Sequence, residues 1–177
     1  MPDEQLSQLA IEEAAGLSDD GLDALRAEMT ARAYPEWYHR AIEAQVMGLS
    51  QLEQSKLHSR LRATACPWCG STEASLNMLQ IAYASSFVFL TNYKSELVLA
   101  CPDCLQKMAK ENAVSTAIFG WWGIPWGPIR TIQALRKNAK VRSYDWDRNA
   151  PSEELEAFLV QKPGVAISIV ETSAADV

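Results

Sequence analysis

Four cysteines constrain this chain more than any other feature. Cys66, Cys69, Cys101 and Cys104 form C-x2-C, a spacer of 31 residues and a second C-x2-C, and there is no other cysteine. The N-terminal stretch MPDEQLSQLAIEEAAGLSDD is acidic and has no basic segment ahead of an apolar run, so it does not read as an export signal. The expected location is the cytoplasm, where thiols stay reduced, and four cysteines there point to a metal rather than to disulfides. Two thiolates two residues apart can share one ion if the backbone turns tightly between them. Pro67 fixes one dihedral of the first pair, Gly70 permits a tight exit, and Cys101-Pro102-Asp103-Cys104 repeats the device. Four sulfurs at the corners of a tetrahedron suit Zn²⁺, and iron shares that ligand set. With no position left open for water, one structural Zn²⁺ per chain is expected.

Charge is unevenly distributed around this centre. The net charge is −6, which argues mildly against a dedicated nucleic-acid binder. Residues 1–30 hold eight acids and one base, residues 105–142 hold seven bases and one acid, and residues 143–177 are acidic again. The hydrophobic fraction of 48% suits a globular chain and excludes a disordered one.

Residues 1–63 read as helices. Ser18 ahead of Asp19 and Asp20 is a helix N-cap, and Leu22, Leu25 and Met29 follow at helical spacing. Pro35 opens a second helix with Tyr38, Ile42 and Val46 on one face. Ser50-Gln51-Leu52-Glu53 is a capping box for a third. The stretch LSDDGLDALRAEMTARAYPEWYHRAIEAQ resembles a short helical segment of bacterial multi-domain proteins, a resemblance that implies no activity. Further on, SFVFL and ELVLA predict a hairpin with its turn at Thr91–Ser95, and an earlier strand is expected near Leu76–Ile81. Near the end, a helix starting at or close to Asn149 carries Leu155, Phe158 and Leu159 inward. VAISIV then reads as a strand, and ETSAADV as a frayed end.

Residues 113–129, AVSTAIFGWWGIPWGPI, carry no charge. The glycines and prolines from Gly120 to Pro128 break the run, so helices over 104–119 and 128–140 are predicted, joined by an aromatic turn. Bases flank both sides: Lys107 and Lys110 before, Arg130, Arg136, Lys137, Lys140 and Arg142 after. That arrangement suits a shallow hairpin at an anionic bilayer surface, where Trp sits well. The alternatives are burial of Trp121, Trp122 and Trp126 in the core and a surface for a protein partner. The candidate binding residues are Trp121, Trp122, Trp126, Arg130, Arg136, Lys137 and Lys140.

Knuckle, hairpin, then a cysteine pair opening a helix: this order over residues 64–118 resembles the treble-clef and zinc-ribbon class. The resemblance implies metal binding and no particular biology. The GWWGIPWG segment, over residues 100–140, resembles a feature of bacterial zinc-ribbon proteins of no assigned activity, some of them membrane-linked. The fold class expected is α+β, in four segments. They are an N-terminal helical region (1–63), a four-cysteine module with a β-hairpin (64–106), a helical hairpin with a Trp-rich tip (107–142) and an acidic C-terminal segment (143–177).

His39 and His58 read as exposed helix residues, and Asp145-Trp146-Asp147 as a solvated loop. No catalytic motif is present, so the chain is expected not to be an enzyme, and the sequence identifies no small-molecule substrate. The function expected is a non-enzymatic interaction module, zinc-stabilised, on a membrane surface or a protein partner. Two other classes are open: nucleic-acid binding through the basic 130–142 helix, and thiol oxidoreduction at CPDC.

Overall fold

The computed structural model describes residues 1–88, 90–146 and 150–175. The chain forms two compact units, Met1–Thr64 with Glu156–Val177, and Ala65–Leu155. The predicted segments 64–106 and 107–142 thus fall almost wholly within one unit.

In the first unit, α1 (Asp3–Gln8) runs through a π turn (Leu9–Glu13) and a 3₁₀ turn (Ala14–Gly16) towards α2 (Asp19–Ala31). Ser18 caps α2 by accepting the Gly21 N–H. After Pro35 comes α3 (Glu36–Met47), which ends at Gly48, and α4 (Gln51–Arg62) starts on the complete Ser50–Glu53 capping box. Leu6, Ala10, Leu22, Leu25, Met29 and Ile42 form its core. The last helix, α8 (Pro163–Ala175), packs on α3 and α4.

Three expectations are corrected. VAISIV is helix, not strand. Ala166, Ile167 and Val170 are buried at helical spacing, and Gly164 lets the backbone approach closely: a Cβ there would lie 2.3 Å from the Ile11 carbonyl oxygen. Packing overrides the β-propensity of valine and isoleucine. The helix also continues through Thr172 and Ser173, where a frayed end was expected. Thirdly, His58 is half-buried, and its Nε2 has no hydrogen-bond partner among the described residues. Burial, and then the nearby Arg62, hold its pKa below the ordinary value.

The second unit is built round a long hairpin, β1 (Asn77–Phe87) paired antiparallel with β2 (Leu90–Ala100). The reversal falls between Phe87 and Leu90, with Val88 at φ 50°, and not at Thr91–Ser95. Those turn-like residues are strand because Tyr93, opposite Ala84, packs on Ala82, Ala84 and Ala134. Two helices follow, α5 (Pro102–Phe119) and α6 (Trp126–Arg142), close to the predicted spans. They pack on each other and on β1. Leu105 and Ala109 of α5 join Leu79 and Ile81, while Ala134 of α6 joins Ala82 and Ala84. Odd and even residues of a strand face opposite ways, so β1 lies with one helix on each face.

That placement brings the outer backbone edge of β1 up against side chains. Ala82 N–H donates to Asn138 Oδ1 at 3.0 Å, and Asn138 Nδ2 donates to the Ala82 carbonyl at 2.7 Å. Ala84 N–H donates to Thr116 Oγ1 at 3.1 Å, and Ser152 Oγ donates to the Met78 carbonyl. Asn138, Thr116 and Ser152 are all buried. They supply the partners that a third strand would have offered. Ser152 also accepts the Leu155 N–H at the start of α7 (Glu153–Gln161), which contains the boundary between the units. The predicted helix start at Asn149, and Asp147, lie outside the described residues.

Candidate metal centre and apolar cap

The first cysteine pair sits on a tight turn. Gly70 N–H donates to the Cys66 carbonyl at 2.8 Å, and Gly70 holds φ +73°, a region that costs glycine nothing. The second pair opens α5: Cys101 is the N-cap, Pro102 fills the first helical position, and Cys104 lies in the first turn. Uncompensated N–H groups and the positive helix end favour thiolate there. Ala100 at the end of β2 is paired with Asn77 at the start of β1, which brings the two cysteine pairs to the same end of the hairpin.

The four Sγ atoms all lie within 4.8 Å of one another, with Cys69 and Cys101 3.6 Å apart. A tetrahedral ion with bonds of about 2.3 Å to sulfur requires sulfur–sulfur edges of about 3.8 Å. The four thiols therefore form a group able to hold a metal ion. Their electrostatics differ. Burial pushes the Cys66 thiol up, yet the N–H groups of Cys101, Trp68 and Cys69 donate to it and bring it down to about 6. Burial pushes Cys101 up, and burial together with the neighbouring sulfurs pushes Cys104 up further. A bound cation would take all four sulfurs as thiolates and displace the protons they carry.

At the other end of the hairpin the strand reversal meets the loop joining α5 to α6. Ile124 N–H donates to the Val88 carbonyl at 3.3 Å, and Ser86 Oγ donates to the Gly120 carbonyl at 2.8 Å. Gly123 admits this contact, since a Cβ there would lie 2.5 Å from Thr91 Oγ1. Around the junction Trp121, Trp122 and Trp126 are 44%, 67% and 60% exposed. Phe87, Leu90, Ile118, Phe119 and Ile124 are exposed beside them. Residues 84–93 and 112–129 contain no charge. The sequence reading found the tryptophans. It missed Phe87 and Leu90, whose only signal was the uncharged run SSFVFLTNY next to a misplaced turn.

The basic candidates divide. Arg130 and Lys137, one heptad apart on α6, both lie over the Tyr93 ring, with their charged groups 5.0 and 5.7 Å from its centre. Lys140 is paired with Glu154 at 2.7 Å, and Arg136 is exposed. Helical periodicity places Lys137, Lys140 and Arg136 about 20°, 80° and 120° round the helix from Arg130, so the four share a broad arc but differ in what they touch.

No described helix is long and apolar enough to cross a membrane. Compared with known proteins, the chain matches no family model, no curated protein and no solved structure.

Proposed function

We propose that this chain is a non-enzymatic interaction module, stabilised by one structural Zn²⁺ on Cys66, Cys69, Cys101 and Cys104, that docks on a membrane surface. The observation that carries the reading is the uncharged cap made by two touching loops, with three tryptophans, Phe87, Leu90 and Ile124 exposed on it. The knuckle, hairpin and cysteine-capped helix resemble a treble clef, and α5 and α6 form the helical hairpin whose loop is the cap.

The chemistry of the cap favours lipid over a protein partner. An apolar phase penalises every unpaired donor. Here the indole N–H groups of Trp121 and Trp122 donate to the carbonyls of Ala117 and Ile118, at 2.8 and 3.1 Å. The backbone N–H groups of Gly120, Ile124 and Gly127 have acceptors within the unit, and Pro125 and Pro128 have no N–H to satisfy. Amphipathic segments enter a bilayer by about 5–10 Å. Arg130 lies one helical turn behind Trp126, at the depth of the headgroups. The reading places the protein on the surface of a membrane, at its cytoplasmic face, and not through it. The pairing of Lys140 with Glu154 and the seating of Arg130 and Lys137 over Tyr93 favour it over nucleic-acid binding, and the gathering of all four sulfurs within 4.8 Å favours it over thiol oxidoreduction at one pair.

The test is co-flotation of the zinc-loaded chain with vesicles of phosphatidylcholine alone and with phosphatidylglycerol added. Flotation of the parent, lost in a folded, zinc-loaded Trp121→Ala, Trp122→Ala variant, is the expected result. A parent that stays at the bottom of the gradient with both vesicles at low salt overturns the reading and returns the cap to a protein interface.

A further inference from the structure

The two edges of the hairpin are treated differently, and the contrast defines a second surface, independent of the lipid reading. In an antiparallel pair, residues whose backbone groups point outward lie opposite one another. On β1 the outward residues include Met78, Ala82 and Ala84, whose groups are held by Ser152, Asn138 and Thr116. Their partners across the ladder are Leu99, Ser95 and Tyr93, so the outward set of β2 is Thr91, Tyr93, Ser95, Leu97 and Leu99. Among the described residues, no hydrogen bond reaches the backbone N–H or C=O of any of these five. Three buried side chains hold four backbone groups of one edge, and the other edge presents a row of open donors and acceptors.

We propose that the outer edge of β2 docks an extended peptide as a third strand, one that alternates acidic and apolar residues. Backbone complementarity selects a polypeptide strand, and the two faces beside the edge select its side chains. On the α6 face lie Tyr93, Arg130 and Lys137. Arg130 donates to Gln133 and Lys137 to Ser95 Oγ, and neither is paired with a carboxylate among the described residues. Two cations over one aromatic ring suit acidic side chains on that face of the added strand. On the α5 face a groove of about 390 Å³ is lined by Trp68, Ile81, Val98 and Met108. Lys94 and Glu96 on its rim neutralise each other at 2.6 Å. Apolar side chains belong there. Trp68, exposed between the two cysteines of the knuckle, walls the groove near the metal site.

The test uses the full zinc-loaded chain without vesicles, and as probe a capped octapeptide of alternating glutamate and valine. Amide exchange and chemical shifts are read at Tyr93, Ser95 and Leu97. The expected result is a saturable shift with exchange at these amides slowed by about tenfold or more. An alternating lysine–valine peptide should bind at least about tenfold more weakly, and an Arg130→Glu, Lys137→Glu variant should reverse that preference. Two further peptides, N-methylated on odd or on even residues, separate strand addition from side-chain contact: one of them must lose binding. Unchanged amides at millimolar probe, or full binding by both methylated peptides, overturns the proposal. So does edge protection that rises with protein concentration and needs no peptide, which would make the occupant a second copy.

Discussion

Asn138→Ala is the sharpest test of how the second unit is held together. Asn138 is fully buried on α6, and its amide satisfies both the N–H and the C=O of Ala82, at 3.0 and 2.7 Å. Alanine keeps the helix and removes both bonds. Each buried backbone group left without a partner costs about 1–3 kcal/mol. Freeing the asparagine side chain returns no more than about 1 kcal/mol. The net expectation is a loss of about 1–5 kcal/mol, a large share of the stability of an ordinary domain. The assay is amide exchange at Ala82 with urea unfolding of the zinc-loaded chain; exchange at that residue reports this unit directly. Asn138→Asp sharpens the reasoning. A carboxylate can accept from Ala82 N–H but cannot donate to its carbonyl, whereas a protonated carboxyl can do both. Burial raises the folded pKa of such a group, so the penalty is present above that pKa and fades as pH falls through it. A loss below about 1 kcal/mol for alanine, or an aspartate variant indifferent to pH, refutes the view that this side chain stands in for a strand.

Three further outcomes are expected. Chelating the metal should release protection across β1, β2 and α5, and reloading zinc should liberate two or more protons per ion, since Cys101 and Cys104 are held above their ordinary values; proton release in buffers of different ionisation enthalpy measures this. Gly120→Ala should destabilise the second unit by more than about 2 kcal/mol in urea unfolding, because its Cβ would lie 2.1 Å from Thr131 Oγ1 and 2.6 Å from the Thr116 carbonyl oxygen. Glu171, though partly buried, is bonded by both Arg60 and Arg40, and these bonds hold its pKa below the ordinary carboxylate value. The stability it contributes is therefore present above its unfolded pKa and lost as pH falls through the lower folded one. Glu171→Gln should flatten that acid limb of the melting profile.

Much of the local structure was legible in the residues. Ser18, Ser50 with Glu53, and Pro35 mark helix starts because capping and proline's fixed φ act within a few residues. The four-thiol group was legible for the same reason: each cysteine pair is a local turn that brings its two sulfurs together. The hairpin turn was misplaced because Thr91–Ser95 has turn composition, while the true register is set by Tyr93 packing on Ala82, Ala84 and Ala134. VAISIV has strand composition, and it is helix because α3 and α4 offer it a surface and Gly164 lets it approach.

By itself, then, the sequence determined the four-thiol group, most helix boundaries and an uncharged, tryptophan-rich stretch between basic flanks. These follow from spacing, capping and composition, which act over a few residues. Only the tertiary structure decided that Phe87 and Leu90 join the tryptophans in one cap, that among the described residues Lys140 meets a carboxylate while Arg130 and Lys137 do not, and that buried side chains hold parts of one hairpin edge while no described hydrogen bond reaches the other. Each of these depends on which side chain the fold carries to a backbone group or a charge tens of residues away, and no local pattern encodes that distance.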